Sequence, residues 1–380
     1  MKKIFNLLVL ACLLIFAASC SKKQDSTEKT ENKVTDKNKG SQKQETPVKQ
    51  ASIIISEEPI GEAPKGMVWI GGGEFVMGSD HTSASQAEKP AHRVKIAAFW
   101  MDEHEVTNAQ FRKFVEATGY KTVAERPIDW EEMKKQLPPN TPKPEDEVLQ
   151  PGSLVFTPPP NPVNLQDYSQ WWSWVHGADW KHPKGPGSSI EDKDNYPVVH
   201  IAYEDAAAYA KWAGKRLPTE AEWEFASRGG GKNQPFAWGD ELTPQNKYLA
   251  NFFQGDFPYN NTVDDGFNAA APVKTFPPND YGLYDMIGNV WEWSSDFYHI
   301  NAHAMAAQND ITICPTGPTS SYDPNEPFAE KRVIKGGSFL CSEQYCSNYR
   351  PSARMATSTD SGQEHLGFRC VRDVETNQKM

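Results

Sequence analysis

Two cysteines define the chemistry this chain could do. In the stretch from Arg332 to Arg354, RVIKGGSFLCSEQYCSNYRPSAR, Cys341 lies three positions after Gly336-Gly337-Ser338, and Cys346 lies five further on. Residues five apart share no helix face, where neighbours are three or four apart. In a strand they point to opposite sides. Thiols that meet at this spacing need a loop, and Gly336 and Gly337 supply loop geometry. Arg350 and Arg354 follow, and positive charge near a cysteine favours the thiolate. Two readings stay open on spacing alone. One is a short structural disulfide, common in exported chains. The other is a working thiol pair, and soft thiolates select Cu(I).

A second chemistry is suggested by oxygen. Asn251 to Phe267, NFFQGDFPYNNTVDDGF, is rich in oxygen side chains and turns. A hard cation such as calcium takes six to eight oxygens, backbone carbonyls included. Solvated acidic turns are the other reading, and no EF-hand loop is present. The nine histidines are scattered, without HExxH or paired-His spacing. A zinc hydrolase is therefore not expected. No P-loop or Rossmann fingerprint occurs. The net charge of −11 argues against a nucleic-acid partner.

The elements that must position these residues are short. Val68 to Met77 reads as two strands about Gly71-Gly72-Gly73. Val94, Ile96 and Ala98 alternate as in a strand. Thr107 with Gln110 forms a capping-box pattern. The helix that follows would bury Phe111, Phe114 and Val115 and stop at Gly119. A second helix is predicted from Glu204 to Ala213, ended by Gly214. A third starts at Thr219, with Glu222 as capping partner, and ends at Gly229. Between Arg126 and Gly187 the chain is proline-rich and without clear periodicity, as functional loops often are. Trp171, Trp172, Trp174 and Trp180 imply that this insertion packs on something. Apolar content is only 38%, but 12 Trp, 18 Phe and 13 Tyr can fill a core. Helices and short strands mix without βαβ alternation, which predicts an α+β fold.

At the N-terminus Lys2 and Lys3 precede an apolar run, Ile4 to Ala18. It is too short to span a membrane comfortably and suits a signal-peptide core. It ends Ala17-Ala18-Ser19-Cys20, which resembles a bacterial lipobox cut before Cys20, whose thiol would carry lipid. An ordinary signal peptide is the alternative. Residues 21–50 hold almost no aliphatics and cannot build a core. The expected organisation is a signal peptide (1–19), a lipid-anchored flexible linker (20–63), a folded domain (64–374) and a short tail (375–380).

KGGSFLCSEQYC and the closing HLGFRC, His365 to Cys370, resemble the active-site region of the aerobic formylglycine-generating enzymes. The resemblance runs from about Gly66 to Arg372. It includes MVWIGGGEFVMGS, RLPTEAEWEFASRGG and NDYGLYDMIGNVWEWSSDFY, which mark the wider sulfatase-modifying-factor fold, a loop-rich relative of the C-type lectin fold. The cysteine pair behind Gly-Gly-Ser separates the enzymes from relatives without the chemistry. The family converts one cysteine of a sulfatase to Cα-formylglycine. The resemblance implies that Cys341 and Cys346 hold Cu(I), that O2 is co-substrate, and that Ser338 orients oxygen or water. Trp291, Tyr345 and Arg354 would belong to the substrate cleft, Arg354 in a structural or electrostatic role.

The substrate implied is an unfolded sulfatase segment with the pattern C-x-P-x-R. Structural calcium would take Asn251, Phe252, Asp265 and Phe267 at one site. A second would use Asp285, Gly288, Val290 and Glu292, with Glu105 near a cation. Disulfide positions of vertebrate members are Ala210, Ala226 and Pro351 here, so Cys370 would be a buried free thiol. The expected setting is the bacterial cell envelope, as a lipid-anchored monomer. Two alternatives remain: a non-catalytic lipoprotein of the same fold serving a surface assembly such as gliding motility, and an ergothioneine-type sulfoxide synthase. The latter usually carries an additional domain with iron-binding histidines, absent here.

Overall fold

A computed structural model describes residues 53–230 and 233–375. The signal-peptide and lipidation expectations, Cys20 included, lie outside them. The packed part begins earlier than the expected boundary at 64. Ala98 N donates to Ile54 O at 2.7 Å and Ser56 N to Gly71 O at 2.9 Å. Ile54 packs on Met67, Trp69, Ala98 and Trp100. The last part of the expected tether is thus docked on the domain.

The fold is α+β and loop-rich, with several small sheets. Met67–Ile70, Phe99–Asp102 and Val371–Asp373 form one, so the N- and C-terminal segments share a sheet. Gly73–Met77 pairs antiparallel with His92–Ile96. The four-stranded sheet beneath the cysteine loop is ordered Met355–Ser358, Lys331–Lys335, Trp291–Phe297, Leu366–Gly367. The helices lie close to their expected positions because their end signals are local. Thr107 Oγ1 accepts from Gln110 N at 3.3 Å, and Gln110 Oε1 accepts from Thr107 N at 2.8 Å. That helix, Asn108–Thr118, ends at Gly119 with φ of 68°. The other two are Tyr203–Trp212 and Glu220–Ser227.

The proline-rich insertion contains a hairpin that its sequence does not announce. Gly152–Phe156 pairs with Trp172–His176, Leu154 opposite Trp174 and Phe156 opposite Trp172. Gly152–Phe156 is buried along its whole length, so it shows no alternation, as expected for a strand covered on both faces. Its aromatic residues join Tyr168, Trp171, Phe257, Phe339 and Leu340 in a core of their own. Glu364 N donates to Leu154 O at 3.0 Å. This bond and the aromatic core fasten the insertion to both HLGFRC and the cysteine loop.

Candidate active site

Strand Lys331–Lys335 delivers the chain into Gly336 and Gly337, with φ of 94° and 74°. Both conformations are ones that side chains rarely take. Space is tight as well: a Cβ on Gly337 would lie 3.0 Å from the backbone of Asn348 and Tyr349. The segment after Cys346 therefore folds back onto Gly337 and closes the loop. Within it Cys341 N donates to Ser338 O at 2.9 Å, and Cys346 N to Ser342 O at 3.0 Å. These turns bring the two thiols into hydrogen-bond contact. Both are free, Cys341 buried and Cys346 half-buried.

Their environments push them apart. Burial and the neighbouring Cys346 hold the Cys341 thiol well above its ordinary range. The Cys346 thiol is lowered, first by its hydrogen bond from Cys341 and further by Asn348 and Arg350. Asn348 Nδ2 donates to Cys346 Sγ at 3.3 Å. Of the two, Cys346 is the more readily ionised, and Cys341 is the thiol held protonated.

A cavity of about 20 Å³ opens beside the pair, lined by Trp171, Trp172, Trp291, Ser338, Tyr345 and His365 among others. That is room for a single water-sized occupant, which needs roughly 10–15 Å³. Trp291 and Tyr345, expected at the substrate cleft, both line this cavity. Tyr345 is stacked on Phe257 with centroids 4.7 Å apart and meets Trp171 edge-on at 5.4 Å. Ser338 Oγ lies 3.0 Å from His365 Nδ1. His365 was not singled out by sequence, because one histidine among nine carries no spacing signal. Pairing of Leu366–Gly367 with Trp291–Glu292 places it here.

Arg354 corrects an expectation. It does not line the cleft. Its Nε and Nη2 donate to the two Glu220 oxygens at 2.7 and 2.8 Å, and its guanidinium lies 5.0 Å from the Tyr298 ring. Arg350 is the arginine that serves the cysteine loop. Its Nε donates to Ser347 O at 2.9 Å, and Glu88 anchors it through two bonds of 2.8 Å.

The oxygen clusters divide. Asn251 Nδ2 donates to Ala269 O at 2.9 Å, while its buried Oδ1 has no partner among the described residues. Asp265, raised by burial, accepts from Phe252 N at 3.0 Å and Phe267 N at 2.9 Å. Phe252 O accepts the Gln254 side chain. The orphaned amide oxygen of Asn251 and the half-buried carboxylate of Asp265 are donors of the kind a hard cation takes. At the second cluster Glu105 Oε2 is the orphan, and burial with neighbouring Asp285 and Glu292 holds Glu105 well above the usual carboxylate range. Glu292 is held by side chains of the protein itself. Arg369 grips it at 2.7 Å through both oxygens, and Trp223 Nε1 adds a bond of 2.8 Å. Its charge is already neutralised. No three carboxylate, thiol or imidazole side chains converge among the described residues, so carbonyls such as those of Gly288 and Val290 would have to complete either shell. Asn289 links the clusters. Its Nδ2 donates to Glu105 Oε1 at 3.0 Å, and its Oδ1 accepts from Asn251 at 3.2 Å. Its own carbonyl accepts Phe339 N at 2.9 Å, next to Ser338.

The site is therefore a pair of free thiols on a glycine-closed loop, set in a loop-rich α+β fold. The family described as sulfatase-modifying factor enzyme 1-like domain matches residues 55–374, and the chain belongs to it. A Mycobacterium tuberculosis protein named formylglycine-generating enzyme is 46% identical over 307 residues, covering 81% of this chain and 97% of that one. A Mus musculus relative named inactive C-alpha-formylglycine-generating enzyme 2 is 37% identical over 313 residues, covering 80% and 85%. Among solved structures, PvdO from Pseudomonas aeruginosa shares the fold, with a TM-score of 0.50 and 24% identity over 81% of this chain and 94% of that one.

Proposed function

We propose that this chain oxidises the cysteine of an unfolded sulfatase segment, C-x-P-x-R, to Cα-formylglycine with O2 as acceptor. The observation that carries this reading is the hydrogen-bonded pair of free thiols at the cleft. It favours an active member over an inactive one of the same fold. Two soft sulfur donors, one of them shifted toward ionisation, fit Cu(I). Copper held by Cys341 and Cys346 would supply a site where the substrate thiol and O2 meet. The substrate cysteine would lose its thiol hydrogen and one Cβ hydrogen, and the two electrons and two protons would pass to O2, which would leave as hydrogen peroxide. Water would then replace sulfur at the resulting thioaldehyde, and the sulfur would leave as hydrogen sulfide. The aromatic walls would exclude bulk water. The test is mass spectrometry of a sulfatase peptide with and without copper and oxygen. Formylglycine is expected only when both are present; its absence from copper-loaded protein would favour a non-catalytic surface lipoprotein.

The orphaned Asn251 Oδ1 and Glu105 Oε2 support structural calcium, with Asp265, Asp285 and backbone carbonyls completing the shells. A ligand that binds only the native state stabilises it by mass action, about 2.7 kcal/mol at a hundredfold excess over Kd. Metal-stripped protein should therefore melt lower than protein with excess calcium, and equal melting would remove calcium from the account. The order Lys2-Lys3, apolar run and Ala-Ser-Cys supports lipidation at Cys20 and a place in the cell envelope. Cys20→Ser should release the protein from the membrane fraction; unchanged fractionation would oppose anchoring.

A further inference from the structure

Behind the Ser338 hydroxyl lies a chain of side chains that the reaction described above does not yet use. Ser338 Oγ is 3.0 Å from His365 Nδ1. His365 Nε2 is 2.9 Å from Gln363 Oε1, and Gln363 Nε2 is 2.8 Å from Thr357 Oγ1. All four residues are buried. The Trp172 ring meets the imidazole edge-on, with centroids 4.8 Å apart, and fixes its plane. Trp291 N donates to His365 O at 2.8 Å, which pins the residue's backbone to the sheet.

An imidazole with one acceptor behind it and one hydroxyl before it has a preferred tautomer. A neutral ring carries one N–H and one bare nitrogen, and the partner of one decides the role of the other. Gln363 presents its carbonyl oxygen to Nε2, which makes Nε2 the N–H. Nδ1 is then bare and can only accept. Ser338 must therefore donate its hydrogen away from the cleft, to Nδ1. The Ser338 oxygen already accepts Leu340 N at 3.2 Å, so one lone pair remains for the cavity.

We infer that Gln363 and His365 are positioning residues that turn the Ser338 hydroxyl, so that Ser338 meets the substrate as a hydrogen-bond acceptor. Such an oxygen favours a group bearing a hydrogen, such as the substrate thiol or a water, and disfavours a bare anion. Burial and the nearby His200 push the His365 imidazole down to about 3, which agrees with a neutral ring. The inference rests on the proposed oxidation of a substrate cysteine at this cavity, and its test separates the two.

The direct measurement is 15N NMR of histidine-labelled, metal-free protein, which needs no turnover. The His365 ring is expected as the Nε2–H tautomer in the wild type. Gln363→Leu should leave it a mixture of both tautomers, and Gln363→Glu should restore Nε2–H. In the peptide assay Gln363→Leu should lower kcat about tenfold or more, as misoriented catalytic groups do, with KM unchanged. Gln363→Glu should recover most of that loss. His365→Phe, which keeps ring bulk against Trp172, should resemble Gln363→Leu in kcat. An Nδ1–H ring or an imidazolium in the wild type overturns the inference. So does a Gln363→Leu variant with wild-type kcat. A wild type that makes no formylglycine overturns the proposed activity instead, and the tautomer still decides the direction of the hydroxyl.

Discussion

Cys346→Ser is expected to reduce formylglycine formation below about one thousandth of wild type, the scale on which loss of a central reacting group is felt, while the protein stays folded. The half-buried Cys346 accepts hydrogen bonds from Cys341 and Asn348, and serine can accept the same bonds. The cost to stability should be about 1 kcal/mol, one ordinary hydrogen bond. Cys341→Ser should abolish turnover equally, because it removes the other sulfur. A structural disulfide would behave differently: either replacement would cost about 2–5 kcal/mol, and activity would fall only as folding fell. Cys370→Ser is the control. Cys370 is buried, its backbone is bonded to Asp102, and it does not line the cavity beside the thiol pair, so its loss should leave turnover per folded molecule near wild type. The comparison is made in one peptide assay with thermal melts alongside. Undiminished turnover by Cys346→Ser would remove the thiol pair from the mechanism.

The features read correctly from sequence are those whose causes are local. The Thr107–Gln110 and Thr219–Glu222 boxes close within one turn of chain, and both helices start there. The Gly336-Gly337 turn and the two cysteines lie within one short loop, so their meeting was also legible. What sequence could not show was set by distant partners. Glu220 lies 134 residues from Arg354, and Glu292 lies 77 residues from Arg369. Either carboxylate read alone looks like a ligand or a solvated charge. His365 and Gln363 gained a role only when Leu366–Gly367 paired with Trp291–Glu292. The hairpin of the insertion was hidden for another reason. Burial on both faces erases the alternation by which strands are recognised, and its tryptophans gave only the coarse statement that it packs.

Arg354→Ala should be the most destabilising single change near the site, at about 3–5 kcal/mol, the usual consequence of leaving one partner of a buried ion pair uncompensated. Glu220 is buried, and burial alone would raise its carboxyl. Arg354 and Lys335 outweigh that and hold it well below its ordinary value of 4.5. With Arg354 gone, Lys335 at 3.6 Å and His303 at 3.9 Å remain, and neither has the bidentate geometry. The sign of the pH dependence follows. A carboxyl depressed in the folded state stabilises fully above its unfolded value and loses that contribution as pH falls through the folded one. The gap between wild type and Arg354→Ala should therefore be full at neutral pH and should narrow only below about pH 4.5. Arg354→Met with Glu220→Met should be less destabilised than Arg354→Ala, because no buried charge is left alone. Below its own melting temperature, Arg354→Ala should turn over peptide at nearly the wild-type rate per folded molecule. A fully folded Arg354→Ala with lost turnover and unchanged melting would return this arginine to the substrate cleft, against the bidentate bond to Glu220 that now accounts for it.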